Sequence, residues 1–250
     1  MKLLVDLGNT RLKWATSAAG AMQPGGVFAH AGGALAAELR REWNGLGRVD
    51  GVLVASVVAP ALEEDLEAFV RERFGRRADF LRSPPEALGV RNGYAEPARL
   101  GIDRFLALVA AHAQRPRAQV VASAGTALTI DVLGADGVHH GGLIVPGPRL
   151  MRQAVLAGTA RVGAAQGRLR ELPDNTADAL ASGACLAAAG AIDRCRAAAA
   201  ARLGGLPALL LTGGGADELA PLLPDAERAH DLVLRGLAAW AAADEPRRPL

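Results

Sequence analysis

Cysteine is almost missing from this 250-residue chain: Cys185 and Cys195 are the two present, and both fall in one Ala-rich stretch that reads as a helix. No disulfide framework can be built from them. No His or third Cys stands at metal-ligand spacing, so the pair reads as small apolar filler in a reducing compartment, and no zinc site is expected. Lysine is nearly missing too, with Lys2 and Lys13 alone, and 28 Lys plus Arg face 26 Asp plus Glu for a formal charge of +2. That balance lacks the concentrated basic block of a dedicated nucleic-acid binder. Long apolar runs are absent as well. The longest uncharged stretch, Trp14 to Ala37, is broken by Gly, Pro, Gln and His and falls short of the roughly 20 continuous apolar residues that span a bilayer. After Met1, one Lys and the three apolar residues Leu3, Leu4 and Val5 precede Asp6, below the roughly 7 to 15 of an export signal core. The expectation is a soluble, cytoplasmic protein with no membrane or nucleic-acid partner.

What is present is ample apolar material, 50% of residues, which excludes disorder as the main state. At about 100 to 200 residues per domain, the length allows one large domain or two modest ones. Strand-like and helix-like runs alternate from end to end, the pattern of an α/β protein. Leu3 to Asp6, the turn Leu7-Gly8-Asn9-Thr10 and Leu12 to Thr16 read as a hairpin. Val52 to Val58 reads as a strand, 61–74 as an amphipathic helix and 79–81 as an edge strand. Breakers from Ser83 to Pro97 mark a long loop, and a helix over 102–114 ends at Arg115-Pro116-Arg117, the best boundary. Then 119–123, a Gly turn and 127–133 repeat the opening pattern. Gly8 and Gly125 lie 117 positions apart, and that offset sets Asp6 over Ser123 and Asn9 over Thr126. The reading is a duplication with domains at 1–117 and 118–250; two unrelated hairpins sharing a Gly would give the same pattern. Beyond it come a strand over 141–145, a helix to about 157, a long helix over 175–203, a short strand over 209–211, helices from 216 and over 232–243, and a frayed tail over 244–250.

Three places offer chemistry. Asp6 at a strand end, followed by Gly8, Asn9 and Thr10, suits a metal-bound phosphate, with Lys13 as a point charge; an ordinary hairpin turn with an exposed lysine uses the same residues. Gly213-Gly214-Gly215, between a strand and a helix, suits a nucleotide against backbone, although neither the P-loop nor the dinucleotide Gly pattern is present. Gly101-Ile102-Asp103-Arg104 opens a helix just after the loop that holds Tyr94. There Asp103 can take a hydroxyl proton while Arg104 pairs with a carboxylate, or the acid caps the helix and the Arg simply meets solvent.

In order and spacing the chain resembles the type III pantothenate kinases, of the superfamily of acetate and sugar kinases, Hsp70 and actin. The resemblance is carried by Asp6 to Thr10 with Lys13, Gly101 to Arg104, Gly125-Thr126 with Thr129 and Asp131, Gly141-Gly142 with Pro146-Gly147, Thr159-Ala160, Asn175-Thr176 with Ala179 and Gly183, Thr212 to Gly214, and 232–237. It implies two ribonuclease H-like (actin-like ATPase) domains with a ligand cleft between them, and transfer of the ATP γ-phosphoryl group to the pantothenate hydroxyl, giving phosphopantothenate, the first step toward coenzyme A. It implies that Asp6, Leu7, Gly8, Asn9, Thr10, Arg11, Leu12 and Lys13 hold the phosphates and Mg²⁺, with Asp6 nearest the metal, and that Thr126 touches ATP. It implies Asp103 as the base, with Tyr94, Gly101, Ile102, Asp103, Arg104 and Thr176 around pantothenate. A homodimer is implied in which Thr176 reaches the partner's substrate site. The family commonly has an Asp where this chain has Ser123; that Asp helps bind K⁺ or NH₄⁺, so cation dependence is in doubt here. Two other functions compete: a sugar or acetate kinase of the superfamily, and a catalytically silent nucleotide-binding accessory to transcription.

Overall fold

The computed structural model describes residues 1–18, 21–30, 35–159 and 166–243. The expected tail over 244–250, and Ala160 of the Thr159-Ala160 pair, lie outside the described residues. The chain divides into two compact units, Met1–Arg115 joined by the segment from Leu232, and Pro116–Asp231.

In the first unit β1 (Lys2–Leu7) pairs antiparallel with β2 (Arg11–Ala18), and β2 pairs with an edge strand, β3 (Ala21–Ala29). After α1 (Leu35–Trp43), β4 (Gly51–Ser56) joins β1 in parallel; after α2 (Pro60–Phe74), β5 (Ala78–Phe80) joins β4 in parallel. The sheet order is β3-β2-β1-β4-β5. Side chains alternate along β1, so Leu3, Val5 and Leu7 enter one core with Leu39 and Trp43 of α1 and Leu66 and Phe69 of α2. Leu4 and Asp6 therefore face the other side. β3 and α1 were not anticipated, because Pro24-Gly25-Gly26 reads as a breaker. At a sheet edge that run is tolerated, since the outer backbone has no ladder partner to serve. The pairing also slips at a bulge between Lys13 and Ala15. Within the expected loop a small hairpin forms, β6 (Glu86–Ala87) with β7 (Val90–Arg91), turning through Leu88 and Gly89, both at positive φ as a type I′ turn requires. Then α3 runs over Ile102–Gln114, as its periodicity predicts.

The second unit repeats the plan. β8 (Gln119–Ala124), β9 (Ala127–Leu133) and β10 (His139–Pro146) form the antiparallel part; β11 (Ala208–Thr212) and β12 (Glu227–Arg228) add in parallel, for the order β10-β9-β8-β11-β12. Strand for strand and direction for direction this matches the first sheet, the repeat that the 117-residue offset anticipates and the ribonuclease H-like topology that the family resemblance implies. The turns differ: Gly8 N–H bonds Arg11 O at 3.1 Å, whereas Gly125 N–H bonds Ala127 O at 3.0 Å, so the second is one residue shorter. Between the strands lie α4 (Pro148–Gly158), α5 (Thr176–Leu203) and the short α6 (Ala216–Leu219). Along α5, Cys185, Ala188, Ile192, Cys195 and Ala199 make a buried stripe at helical spacing against the sheet, and both cysteines are free thiols within it. Burial, followed by the Glu218 carboxylate, pushes the Cys185 thiol above its usual range, consistent with inert filler.

The terminal helix α7 (Leu232–Ala243) departs from the expected second domain over 118–250. It packs on α3 and over β1, β2 and β4 of the first unit, on the face opposite α1 and α2. Sequence adjacency to the second unit hid this, since an amphipathic stripe does not name its partner. The approach of α7 to α3 is close: a Cβ at Gly236 would sit 2.2 Å from the Leu106 carbonyl oxygen. Gly236→Ala should therefore push the helices apart and destabilise the fold by about 1 to 3 kcal/mol of overpacking, against the roughly 1 kcal/mol that Ala gains as a helix former. A thermal melt should show the loss as a falling midpoint; an unchanged or raised midpoint would mean that the contact is not tight.

Candidate functional site

The β1–β2 hairpin places Asp6 directly across from Lys13 and Leu7 across from Leu12. Leu7 and Leu12 are fully buried, so these two candidate residues can offer a ligand only backbone. Asn9 and Arg11 are exposed, while Asp6, Gly8, Thr10 and Lys13 are partly so. The turn is tied down on both of its leading carbonyls. Leu7 O accepts the Val57 N–H at 3.3 Å, and Gly8 O meets His30 Nε2 at 2.7 Å. His30, 6% exposed, was not anticipated as part of the site, and a lone His in a Gly- and Ala-rich stretch carries no sequence signal that could have found it.

The loop before α3 is organised by Asn92, another residue that the sequence presented only as a breaker. It is 8% exposed; its Nδ2 donates to Pro84 O at 3.2 Å and Pro97 O at 3.0 Å, its Oδ1 accepts the Tyr94 N–H at 3.0 Å, and its own N–H reaches Pro85 O at 2.8 Å. So placed, Tyr94 meets Arg104: Nη1 donates to the phenol oxygen at 2.9 Å, with the guanidinium 5.6 Å from the ring centroid. Arg104 is buried at 6% exposure, which replaces the picture of a side chain simply meeting solvent. Ile102 points into the core. Asp103 stays half-buried in the first turn of α3, where its Oδ1 accepts the Arg104 N–H at 2.8 Å, a favourable place for a carboxylate at the positive end of a helix. Gly101 leaves it room, because a Cβ there would come 2.5 Å from Asp103 Oδ1.

In the second unit Thr126 is exposed in the short turn, and the surrounding backbone is tightly joined: Gly147 N–H bonds Thr126 O and Gly215 N–H bonds Ala124 O, each at 2.9 Å. The Gly-rich segment after β11 is thus hydrogen-bonded to the end of β8. In register, Ser123 lies between Thr129 and Thr212, where the first sheet sets Asp6 between Lys13 and Ala55. Three hydroxyl side chains stand where the twin carries an acid and a lysine. Asp131, one of the residues that carry the family resemblance, is 2% exposed and bonded to His139 Nε2 at 2.9 Å, an internal pairing. Thr176 is exposed in the first turn of α5, next to Asn175, whose side chain accepts the Asp178 N–H at 2.9 Å as the helix cap. Arg152 of α4 forks onto Glu218 of α6 at 2.8 and 3.2 Å.

A family profile described as type III pantothenate kinase matches residues 2–198. Among curated relatives, the type III pantothenate kinase of Xanthomonas euvesicatoria pv. vesicatoria is 46% identical over 243 residues, covering 96% of this chain and 97% of its own. That of Stenotrophomonas maltophilia is 44% identical over 242 residues, covering 95% and 96%. Among solved structures, a proposed 2-dehydro-3-deoxygalactonokinase from Sinorhizobium meliloti aligns with a TM-score of 0.64 at 14% identity, over 98% of this chain and 100% of its own. A proposed Baf family transcriptional activator from Campylobacter jejuni aligns at 0.61 and 21%, over 97% and 98%. At such identities these structures speak for the two-domain fold alone.

Asn92→Ala removes the acceptor of the Tyr94 N–H and the donors to two carbonyls. We expect a loss of roughly 1 to 3 kcal/mol and faster amide exchange at Tyr94, read by hydrogen exchange on the folded protein; unchanged protection would show that the loop is held by other contacts.

Proposed function

The chain belongs to the type III pantothenate kinase family, and from that premise we propose how its residues share the transfer of a phosphoryl group from ATP to pantothenate in coenzyme A biosynthesis. The observation that carries the assignment of roles is the start of α3. There a half-buried carboxylate, Asp103, stands beside a buried guanidinium that is held by Tyr94. Arg104 with Tyr94 fits the carboxylate end of pantothenate, and Asp103 orients its hydroxyl. In a loose phosphoryl-transfer transition state little charge builds on the attacking oxygen. Asp103 then mainly aims the nucleophile and takes its proton late, so a carboxylate of ordinary basicity suffices. Positioning supplies most of the acceleration.

The turn from Asp6 to Lys13 holds the phosphates: backbone N–H groups and the Asn9 and Thr10 side chains donate, and Lys13 adds a compact positive charge. Asp6 fits Mg²⁺, as a single hard oxygen donor beside that turn, because this ion is commonly held by one or two carboxylates plus substrate phosphates. When bound, Mg²⁺ offsets phosphate charge. In the second unit Thr126, with the backbone around Gly213 to Gly215, receives the rest of the nucleotide.

We place the enzyme in the cytoplasm, where its phosphoryl donor is made; no helix among the described residues is long and apolar enough to cross a membrane. We also propose a homodimer in which Thr176 completes the partner's pantothenate site. Support comes from exposed apolar side chains on β10, α4 and α5, namely Leu143, Ile144, Leu150, Val155 and Leu186. The relatives at 44 to 46% identity are named pantothenate kinases, which leaves the sugar or acetate kinase and the silent transcriptional accessory without an observation in their favour.

Asp103→Asn should lower turnover of pantothenate about 10²- to 10⁴-fold with ATP affinity kept, and Gly101→Ala should lower turnover while the melting midpoint holds, because the added methyl displaces only the Asp103 side chain. A coupled assay with calorimetry reads both. Full activity of Asp103→Asn would remove the proposed base. The same assay with and without K⁺ or NH₄⁺ should show weak stimulation or none, since Ser123 contributes a neutral hydroxyl where a carboxylate would attract the ion; a strict requirement would refute that.

A further inference from the structure

The peptide unit between Gly8 and Asn9 has its carbonyl oxygen on His30 Nε2 at 2.7 Å. A carbonyl can only accept, so Nε2 carries the proton and donates. The unit is planar and trans, as are all peptide bonds described here, and in such a unit the N–H points opposite to the C=O. Drawing Gly8 O toward buried His30 therefore turns the Asn9 N–H outward, on the side where Asn9 itself is exposed. The preceding carbonyl, Leu7 O, is engaged by Val57, and Gly8 N–H by Arg11 O. His30 thus fixes the orientation of the Gly8–Asn9 peptide unit, which follows the unit held by Val57 and Arg11.

We propose that His30 is a positioning residue for the nucleotide: by donating to the Gly8 carbonyl it aims the Asn9 N–H at a phosphate oxygen and keeps a carbonyl dipole from facing the triphosphate. This rests on the reading that the Asp6 to Lys13 segment is the phosphate site. Without the donor, Gly8 O loses its partner, and a flip of the peptide would present oxygen to oxygen. The loss is that of a single hydrogen bond and falls on nucleotide binding rather than on the chemistry at Asp103.

The test is steady-state kinetics and ATP calorimetry on the full chain for His30→Phe, His30→Gln and Lys13→Ala. His30→Phe, which fills the space without a donor, should raise the KM for ATP roughly three- to tenfold with kcat and the KM for pantothenate little changed. His30→Gln, which can present an N–H near the Nε2 position, should recover most of that loss. In the wild type, nitrogen-15 imidazole spectra should show the Nε2–H tautomer for His30, a readout that needs no variant to fold. A wild-type ATP KM in His30→Phe, a glutamine variant as impaired as the phenylalanine one, or an Nδ1–H tautomer would each overturn the inference. Those results with a large ATP defect in Lys13→Ala would leave the phosphate site standing and remove only the role of His30. No ATP defect in Lys13→Ala would instead remove the phosphate reading, and this inference with it.

Discussion

Strand β1 is the constraint on which the first unit turns. It is paired along its whole length on both sides, antiparallel to β2 and parallel to β4, so it has no free backbone edge and no freedom of register. A slip of one residue would carry Leu3, Val5 and Leu7 out of the core with α1 and α2 and bring Asp6 into it, a change that buried-charge energetics forbids. The position of Asp6, the geometry of the turn after it and the reach of Lys13 all follow from that pairing. The chemistry proposed for the turn is a consequence of hydrophobic register rather than of any motif-specific fold.

The repeated sheet carries one topology with two different sets of side chains at its central strand end. The strand order and directions are the same, yet the positions flanking the central strand end differ: acid and lysine in the first unit, three hydroxyls in the second. Charged groups suit the strongly charged phosphate and metal end of a nucleotide, and neutral donors cost less to desolvate where charge is lower. The shortened second turn adds to the asymmetry. It draws in Gly147, whose N–H bonds Thr126 O, and so couples the turn to the start of α4. The two sheets share a frame, and different residues at the strand ends make the halves unlike.

Much of this frame was legible in the residues. The hairpin around Gly8, the repeat around Gly125, α3 and the long α5 all follow from periodicity and turn residues, and the order of motifs points to the family. What stayed hidden has physical causes. β3 contains Pro24-Gly25-Gly26, which local propensity reads as a break, and its acceptance depends on being at an edge. The small hairpin at Leu88 and Gly89 is too short for any period to show. α7 was assigned to the half it follows in sequence, whereas Gly236 fits it to Leu106 of α3, more than a hundred residues earlier. His30 and Asn92 act through backbone carbonyls and amides. Such partners have no side-chain identity, so no pattern of residue types announces them.

The candidate groups share one physical property. The Gly8 to Thr10 turn, the first turn of α3 with Asp103 and the first turn of α5 with Thr176 all lie at the boundary of a regular element, where backbone N–H groups are served by turn and side-chain acceptors rather than by a ladder. A triphosphate and a carboxylate-bearing substrate both need donors, and donors at such ends are already oriented by the element that follows. Side chains at these points do little to hold the core, as the exposure of Asn9 and Thr176 and the half-burial of Asp6 and Asp103 indicate. Their chemistry is therefore free to vary while the fold stays fixed. The residues that cannot vary so freely are those that aim them: Asn92 beneath Tyr94, Gly101 beside Asp103, and His30 behind Gly8. A relative with the same turn but no donor behind Gly8 would need another group to hold that carbonyl, or would present the phosphate with a mobile peptide.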